Sequence, residues 1–147
     1  MDEATAIELV NEKASNIIGF TEELKANKKV VMAAVKNRGM VLEYVSDDLK
    51  KDFDVVLAAV KQFGSALKYA SVELKDNEEI VKAAIQQNYS SIDYASPRLQ
   101  EKLKGLADDI REAAMHDVNR RYGLLQGRGG RRTKRKRNRR RSMKIKR

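Results

Sequence analysis

Residues 55–71 read VVLAAVKQFGSALKYAS. Residues 30–46 read VVMAAVKNRGMVLEYVS, and residues 80–96 read IVKAAIQQNYSSIDYAS. A phrase that returns every 25 residues constrains the fold more than any other property of this chain. A unit that short cannot bury its own apolar face, so copies must lie against one another and share one continuous core.

Reading down the columns at this register, Val31, Val56 and Val81 align, as do Val35, Val60 and Ile85. The pairs Ala33-Ala34, Ala58-Ala59 and Ala83-Ala84 align between them. Leu42, Leu67 and Ile92 follow, then Tyr44, Tyr69 and Tyr94, then Ser46, Ser71 and Ser96, then Leu49, Leu74 and Leu99. Residues 30–54 and 55–79 are identical at 12 of 25 positions, far above chance. A worn copy precedes these three, with Val10 in the column of Val35, Ile17 in that of Leu42 and Leu24 in that of Leu49. Four repeats result, at 2–26, 27–51, 52–76 and 77–101.

Each unit reads as short helices, so the expected fold class is all-α. Asn27, Asp52 and Asn77 are suited to N-caps, because their side-chain oxygens take the first free backbone N–H groups. Val31, Ala34 and Val35 then form one apolar face at i, i+3 and i+4. Gly39 and Gly64 are expected to stop that helix in the left-handed C′ conformation, with Asn88 in that role in the last copy. A second short helix carries Leu67, Tyr69 and Ala70, and Ser71 caps a last turn containing Leu74. Pro97 falls directly after Ser96, at a first helical position where a missing N–H costs nothing.

No fifth copy follows. Leu99, Leu103, Leu106, Ile110, Ala113, Ala114, Val118 and Tyr122 advance in steps dominated by three and four, which predicts one amphipathic helix over about 97–122. Gly105 is a weak point within it, and Gly123 is placed to end it. The expected architecture is a short α-solenoid in residues 1–126, closed by that helix, and a disordered tail in residues 127–147.

These columns resemble a family of tandem helical repeats known only as a domain of unknown function, with a pattern near D-x-x-V-V-x-A-A-V-x-x-x-G-x-x-L-x-Y-A-S-x-x-L. Residues 52–76 follow it closely and 27–51 well; 77–101 carry Tyr89 in place of glycine, and 2–26 follow in outline. The resemblance covers about 100 residues and more than ten columns. It implies a helical fold and brings no catalytic residues with it. Such repeats occur in bacteria, in protists and in large DNA viruses that infect protists, and the basic tail is similar in composition to tails common in those viruses.

Little in the chain points to catalysis. There is no cysteine, which removes disulfides, thiolate metal sites and cysteine nucleophiles. His116 is the single histidine, and it has no His/Cys cluster around it to build a metal site. The carboxylate pairs Asp47-Asp48, Glu78-Glu79 and Asp108-Asp109 sit at helix starts or on polar faces, where capping and solvation explain them. No glycine-rich loop has phosphate-binding spacing. The expectation is a protein that is not an enzyme and that uses no cofactor and no metal. No apolar run is long enough to span a membrane, and the Met-Asp-Glu start is unlike a secretory signal, so an intracellular protein is expected.

The net charge of +10 conceals a division. Residues 1–127 hold 18 Lys and Arg against all 21 acids, for a net −3, while residues 128–147 hold 13 Lys and Arg and no acid. Those thirteen are Arg128, Arg131, Arg132, Lys134, Arg135, Lys136, Arg137, Arg139, Arg140, Arg141, Lys144, Lys146 and Arg147. Such a block repels itself, stays solvated and seeks polyanions. Three roles fit: contact with DNA or RNA phosphates without sequence reading, a nuclear or nucleolar address in Arg131–Arg141, and attraction to anionic lipid. No aromatic residue interrupts the run, so base stacking is not offered there. Ser142, directly after three arginines, is a candidate for phosphorylation.

Two repeat rows are further candidates. Lys25, Lys50 and Lys75, with Gln100, and Lys36 and Lys61, with Gln86, recur at fixed places and could present cations to phosphate or to an acidic peptide; a solvated face is the alternative. Tyr44, Tyr69 and Tyr94 are expected in the core, an exposed aromatic ladder being the alternative. The function expected is a non-enzymatic interaction or structural module: its tail binds DNA or RNA, its repeat surface binds an unidentified protein partner, and nucleus or virion is its setting. The alternative is a protein-binding repeat whose tail is only an address.

Overall fold

The computed structural model describes residues 1–123, and all of its regular elements are helical. In chain order these are α1 (Glu3–Glu12), α2 (Glu22–Lys25), α3 (Lys28–Asn37), α4 (Phe53–Gln62), α5 (Val72–Lys75), α6 (Glu78–Gln87) and α7 (Pro97–Tyr122). Short 3-10 segments lie between them at Ala14–Gly19, Gly39–Tyr44, Leu49–Lys51, Gly64–Tyr69 and Tyr89–Tyr94. The ten-residue helices begin at residues 3, 28, 53 and 78, so the 25-residue period of the sequence is the period of the structure. Inter-residue contacts divide the chain into Met1–Arg111 and a second unit from Glu112 onward.

The caps stand where the side-chain chemistry puts them. Asn27 Oδ1 accepts from the backbone N–H groups of Lys29 and Val30, Asp52 from those of Asp54 and Val55, and Asn77 from those of Glu79 and Ile80. Asp2 does the same for Thr5. Ser71 Oγ accepts from the Leu74 N–H at 3.3 Å and Ser96 Oγ from the Leu99 N–H at 3.4 Å, and Pro97 opens α7. Ser46 departs from its column. Its hydroxyl has no partner, and the segment after it is a 3-10 turn instead of an α-turn.

Helices α1, α3, α4 and α6 pack in sequence order, each against the next. Val31, Val56 and Val81, Ala34, Ala59 and Ala84, and Val35, Val60 and Ile85 are fully buried in one core, joined by Leu42 and Leu67. Each buried Val, Leu or Ile side chain contributes about 1.5–3 kcal/mol. Leu24 and Leu74 are only half-buried at the edge of that core. In the first repeat the column of Val30, Val55 and Ile80 holds Thr5, which is exposed, and Glu8 is exposed where the later repeats carry alanine. A polar outer side of this kind is what a terminal repeat requires. At the other end, Leu99, Leu103 and Ala107 of α7 are buried in the core, with Leu106 and Ile110 half-buried beside them. The helix runs through Gly105 without a break and ends at Gly123, whose φ of 63° is the left-handed stop the sequence predicts.

The glycine columns have a different cause from the one expected. Gly123 is the only described residue with positive φ; at Arg38, Phe63 and Asn88, directly before the 3-10 segments, the chain instead turns out of the helix in extended conformation. Gly39 and Gly64 are small because the following repeat lies against them. A Cβ on Gly64 would stand 2.5 Å from the carbonyl oxygen of Ala84, and one on Gly39 would overlap that of Ala59. The same approach is fixed by side chains reaching back one repeat. Gln62 Oε1 accepts from the Gly39 N–H and Gln87 Oε1 from the Gly64 N–H, both at 2.7 Å.

Main-chain atoms also join neighbouring repeats. The N–H of Ser46 donates to the carbonyl of Lys25 at 3.1 Å, that of Ser71 to Lys50 at 3.0 Å, and that of Ser96 to Lys75 at 3.0 Å.

Two stability measurements follow from this packing. Gly64→Ala places a methyl group against a backbone oxygen and should cost about 1–3 kcal/mol in urea unfolding; if the glycine served only a left-handed turn, the negative φ here would make alanine neutral or stabilising. Ser91 stands in the column of Val41 and Ala66, fully buried, with its hydroxyl unpartnered. Ser91→Ala should therefore raise stability by about 1 kcal/mol, and an unchanged or lower midpoint would show that the hydroxyl is satisfied.

Candidate interaction surfaces

The 3-10 segments of successive repeats pack side by side. They have three residues per turn, so Leu42 and Val45 share a side and turn into the core, while Tyr44 sits a third of a turn away. The tyrosine column is thereby placed at the surface. Tyr44 is 40% exposed and Tyr94 36%, with Tyr69 half-buried between them. The expectation that these tyrosines fill the core is corrected: Leu42, Leu67 and their neighbours already fill it. The Tyr69 hydroxyl is held above its ordinary value by burial first and then by the carboxylate of Glu43. Lys68 Nζ stands 5.7 Å from the centre of the Tyr69 ring. A shallow pocket opens beside Tyr44, lined by Ser15, Ile18, Arg38, Met40, Val41 and Glu43.

The lysine rows are not a uniform cationic track. Lys25 Nζ lies 3.0 Å from Glu22 and Lys50 Nζ 3.8 Å from Asp47, and both lysine side chains are mostly covered, at 16% and 24% exposure. In the last position of that row, Gln100 donates to the carbonyls of Asp93 and Ala95. Lys36, Lys61 and Gln86 are exposed, one at each helix end. Other cations tie one repeat to its neighbour. Lys28 bridges Asp52 and Asp54, Lys29 reaches Glu3, Arg98 reaches Asp76, and Lys102 reaches Glu78, which also holds Lys82. These pairs take up Lys25, Lys28, Lys29, Lys50, Lys82, Arg98 and Lys102, while Lys36 and Lys61 are in no ion pair among the described residues.

His116 and the pairs Asp47-Asp48 and Asp108-Asp109 are exposed. Among the described residues no three His, Cys, Asp or Glu side chains stand together as a metal site, and no helix is long and apolar enough to cross a membrane. The thirteen tail residues from Arg128 to Arg147, and Ser142, lie outside the described residues. The pocket beside Tyr44 was not legible as a site. Its Arg38 and Ile18 belong to columns whose residue type changes in every repeat, and Met40 interrupts a column that is otherwise serine, so no row announces them.

The repeated region is also where the chain matches a known family model. The model described as Domain of unknown function (DUF4116) matches twice, over residues 2–50 and 52–100, together about two thirds of the chain. The chain belongs to the DUF4116 family. Each DUF4116 match spans two of the 25-residue structural periods, so the family unit is a pair of repeats. None of the curated proteins and none of the solved structures gives a significant match.

The Glu78 pair offers a test of the ion pairs in this DUF4116 chain. Lys102 and then Lys82, each 2.6 Å away, hold the Glu78 carboxyl down to about 2, against an ordinary value of 4.5. A depressed folded-state value gives stability that is present above pH 4.5 and is lost as pH falls toward 2. The melting temperature of Glu78→Gln should lie slightly below wild type at neutral pH and converge with it between pH 4.5 and 2. A gap that persists at the acid end would mean the carboxylate charge is not the cause.

Proposed function

We propose that this protein is a non-enzymatic adaptor: a short α-solenoid whose outer surface engages protein, joined to a polybasic C-terminal segment that binds DNA or RNA through phosphates. The observation that carries the reading is the charge division. Thirteen cations and no acid fall in the last twenty residues, while residues 1–127 are net negative, and Lys25 and Lys50 of one lysine row are paired with acids of their own repeats. This supports the tail, and not the lysine rows, as the polyanion site. Binding of that kind is driven by counterion release and is indifferent to base sequence. The same residues suit a nuclear or nucleolar address, and one segment can serve both uses. The tyrosine row and the pocket beside Tyr44 support the protein-engaging half, because exposed aromatic rings with polar neighbours are the residues on which interfaces are anchored.

The test is fluorescence anisotropy with mixed-sequence oligonucleotides across a salt series, comparing the full chain with a truncation after Gln126. Contact with about ten phosphates should give a log–log salt slope on the order of −7 to −9, and truncation should abolish binding. Arg135→Ala should weaken binding slightly and equally for all sequences. Undiminished binding by the truncated protein would move the activity to the repeats. A full chain that binds no nucleic acid at physiological salt would leave the tail an address only.

A further inference from the structure

The tyrosine row has a gap at its first place. Tyr44, Tyr69 and Tyr94 share one column, and the first repeat carries Gly19 there. The 3-10 segments that hold this column pack side by side, so its members are neighbours from one repeat to the next. The Tyr69 hydroxyl registers that closeness: burial first, then Glu43, Tyr44 and Tyr94, hold it above its ordinary value. On the other side of Tyr44 no ring stands. A Cβ on Gly19 would meet nothing within 4 Å, and the φ of Gly19 is not positive, so a side chain has both space and an ordinary backbone there. The pocket beside Tyr44 opens on this side, between Ser15 and Ile18 of the first repeat and Arg38, Met40 and Val41 of the second. Its volume of about 130 Å³ is close to the roughly 150 Å³ of a cavity that takes one benzene ring. Ile18, Met40, Val41 and the Tyr44 ring give it apolar walls.

The rim is charged. Arg38 is exposed and in no ion pair among the described residues, and so is Lys13, at the same place one repeat earlier. Glu43 also borders the pocket, but its carboxylate lies near the Tyr69 hydroxyl of the next repeat. The charge left for a partner at the Gly19 side is positive.

We infer that this pocket takes one aromatic side chain, phenylalanine or tyrosine, from a peptide segment of another protein, with an acidic residue beside it paired to Arg38. The inference rests on the protein-engaging role proposed above and names the chemistry that role recognises. The partner's ring completes the row where the first repeat has glycine, packing offset or edge-on against Tyr44. The guanidinium of Arg38 offers a carboxylate two parallel N–H donors. A nucleobase has a ring as well, but Glu43, and Asp93 beside Tyr94, repel a phosphate backbone laid along the row. One ring and one rim ion pair are few contacts, so the dissociation constant should be on the order of 0.1–1 mM.

The experiment is amide proton–nitrogen correlation NMR on the full chain, freed of nucleic acid, at about 0.15 M salt. The probe is a capped peptide with one central phenylalanine flanked by aspartates and no other aromatic residue. Each amide reports separately, so attraction of the peptide to the basic tail does not enter the reading. Shifts should centre on Ser15, Gly19, Arg38 and Tyr44. Alanine in place of the phenylalanine should abolish them, and lysine flanks should weaken binding about fivefold or more. Gly19→Tyr supplies the missing ring from the chain itself, and should weaken binding about tenfold or more with the circular dichroism unchanged. Arg38→Glu, at an exposed position, should reverse the preference, so that the lysine-flanked peptide binds more tightly. No shift at these amides with about 5 mM peptide, a Gly19→Tyr variant that binds like wild type, or an Arg38→Glu variant that still prefers aspartate each overturns the inference. Shifts centred on Tyr69 and Tyr94 instead overturn the pocket and keep the row as a protein-engaging surface. Shifts of the pocket amides by a single-stranded oligonucleotide, and not by the peptide, overturn both.

Discussion

The whole repeat region depends on how closely one helix end can approach the repeat before it. The carbonyls of Ala59 and Ala84 come to rest against Gly39 and Gly64, where no Cβ fits. That approach lets Gln62 and Gln87 reach the glycine N–H groups, and it presses the Val and Ala columns into one core. The first junction shows the same constraint from the other side. There the glycine column holds Ala14 and the glutamine column holds the shorter Asn37, whose side chain donates to the carbonyl of Val10 instead. At the last repeat the column holds Tyr89, a partly exposed ring, and no further helix of the series follows.

Most of the fold was legible because the signals repeat. Four N-caps at one spacing, buried columns at i, i+3 and i+4, and Pro97 after Ser96 all point to the same register, and agreement between independent local signals is what makes a sequence readable. The errors share a physical origin. Gly39 and Gly64 carry one symbol for two causes, a left-handed turn or a close neighbour, and the two can be told apart only when the neighbour is in place. The tyrosines were misplaced because a 3-10 segment turns every three residues, so Leu42 and Val45 take the core side and Tyr44, between them, falls off it. Ser46 keeps the residue type of its column and loses the cap.

Charge is arranged by the same economy. On the repeats, four cations hold a neighbouring segment, as Lys28 does with Asp52 and Asp54 and as Lys102 does with Glu78. Exposed pairs of this kind each contribute little to stability, but they reduce the net field of the folded part. The concentrated positive charge lies instead in residues 128–147, apart from the repeats in sequence. The candidate surfaces were harder to read than the fold, since the pocket beside Tyr44 draws Arg38 and Ile18 from columns that differ in every repeat, and difference carries no periodic signal.

The links from Ser46 to Lys25, from Ser71 to Lys50 and from Ser96 to Lys75 run between main-chain atoms and are blind to side-chain identity. A chain held together in this way can change its spelling freely at most positions, as repeats identical at only 12 of 25 positions demonstrate. It cannot change its spacing. One residue inserted between Lys50 and Ser71 would carry an amide past its acceptor and turn the next apolar column out of the core. Divergence in such proteins is therefore confined to substitution within a fixed length, and growth or loss must come in whole repeats.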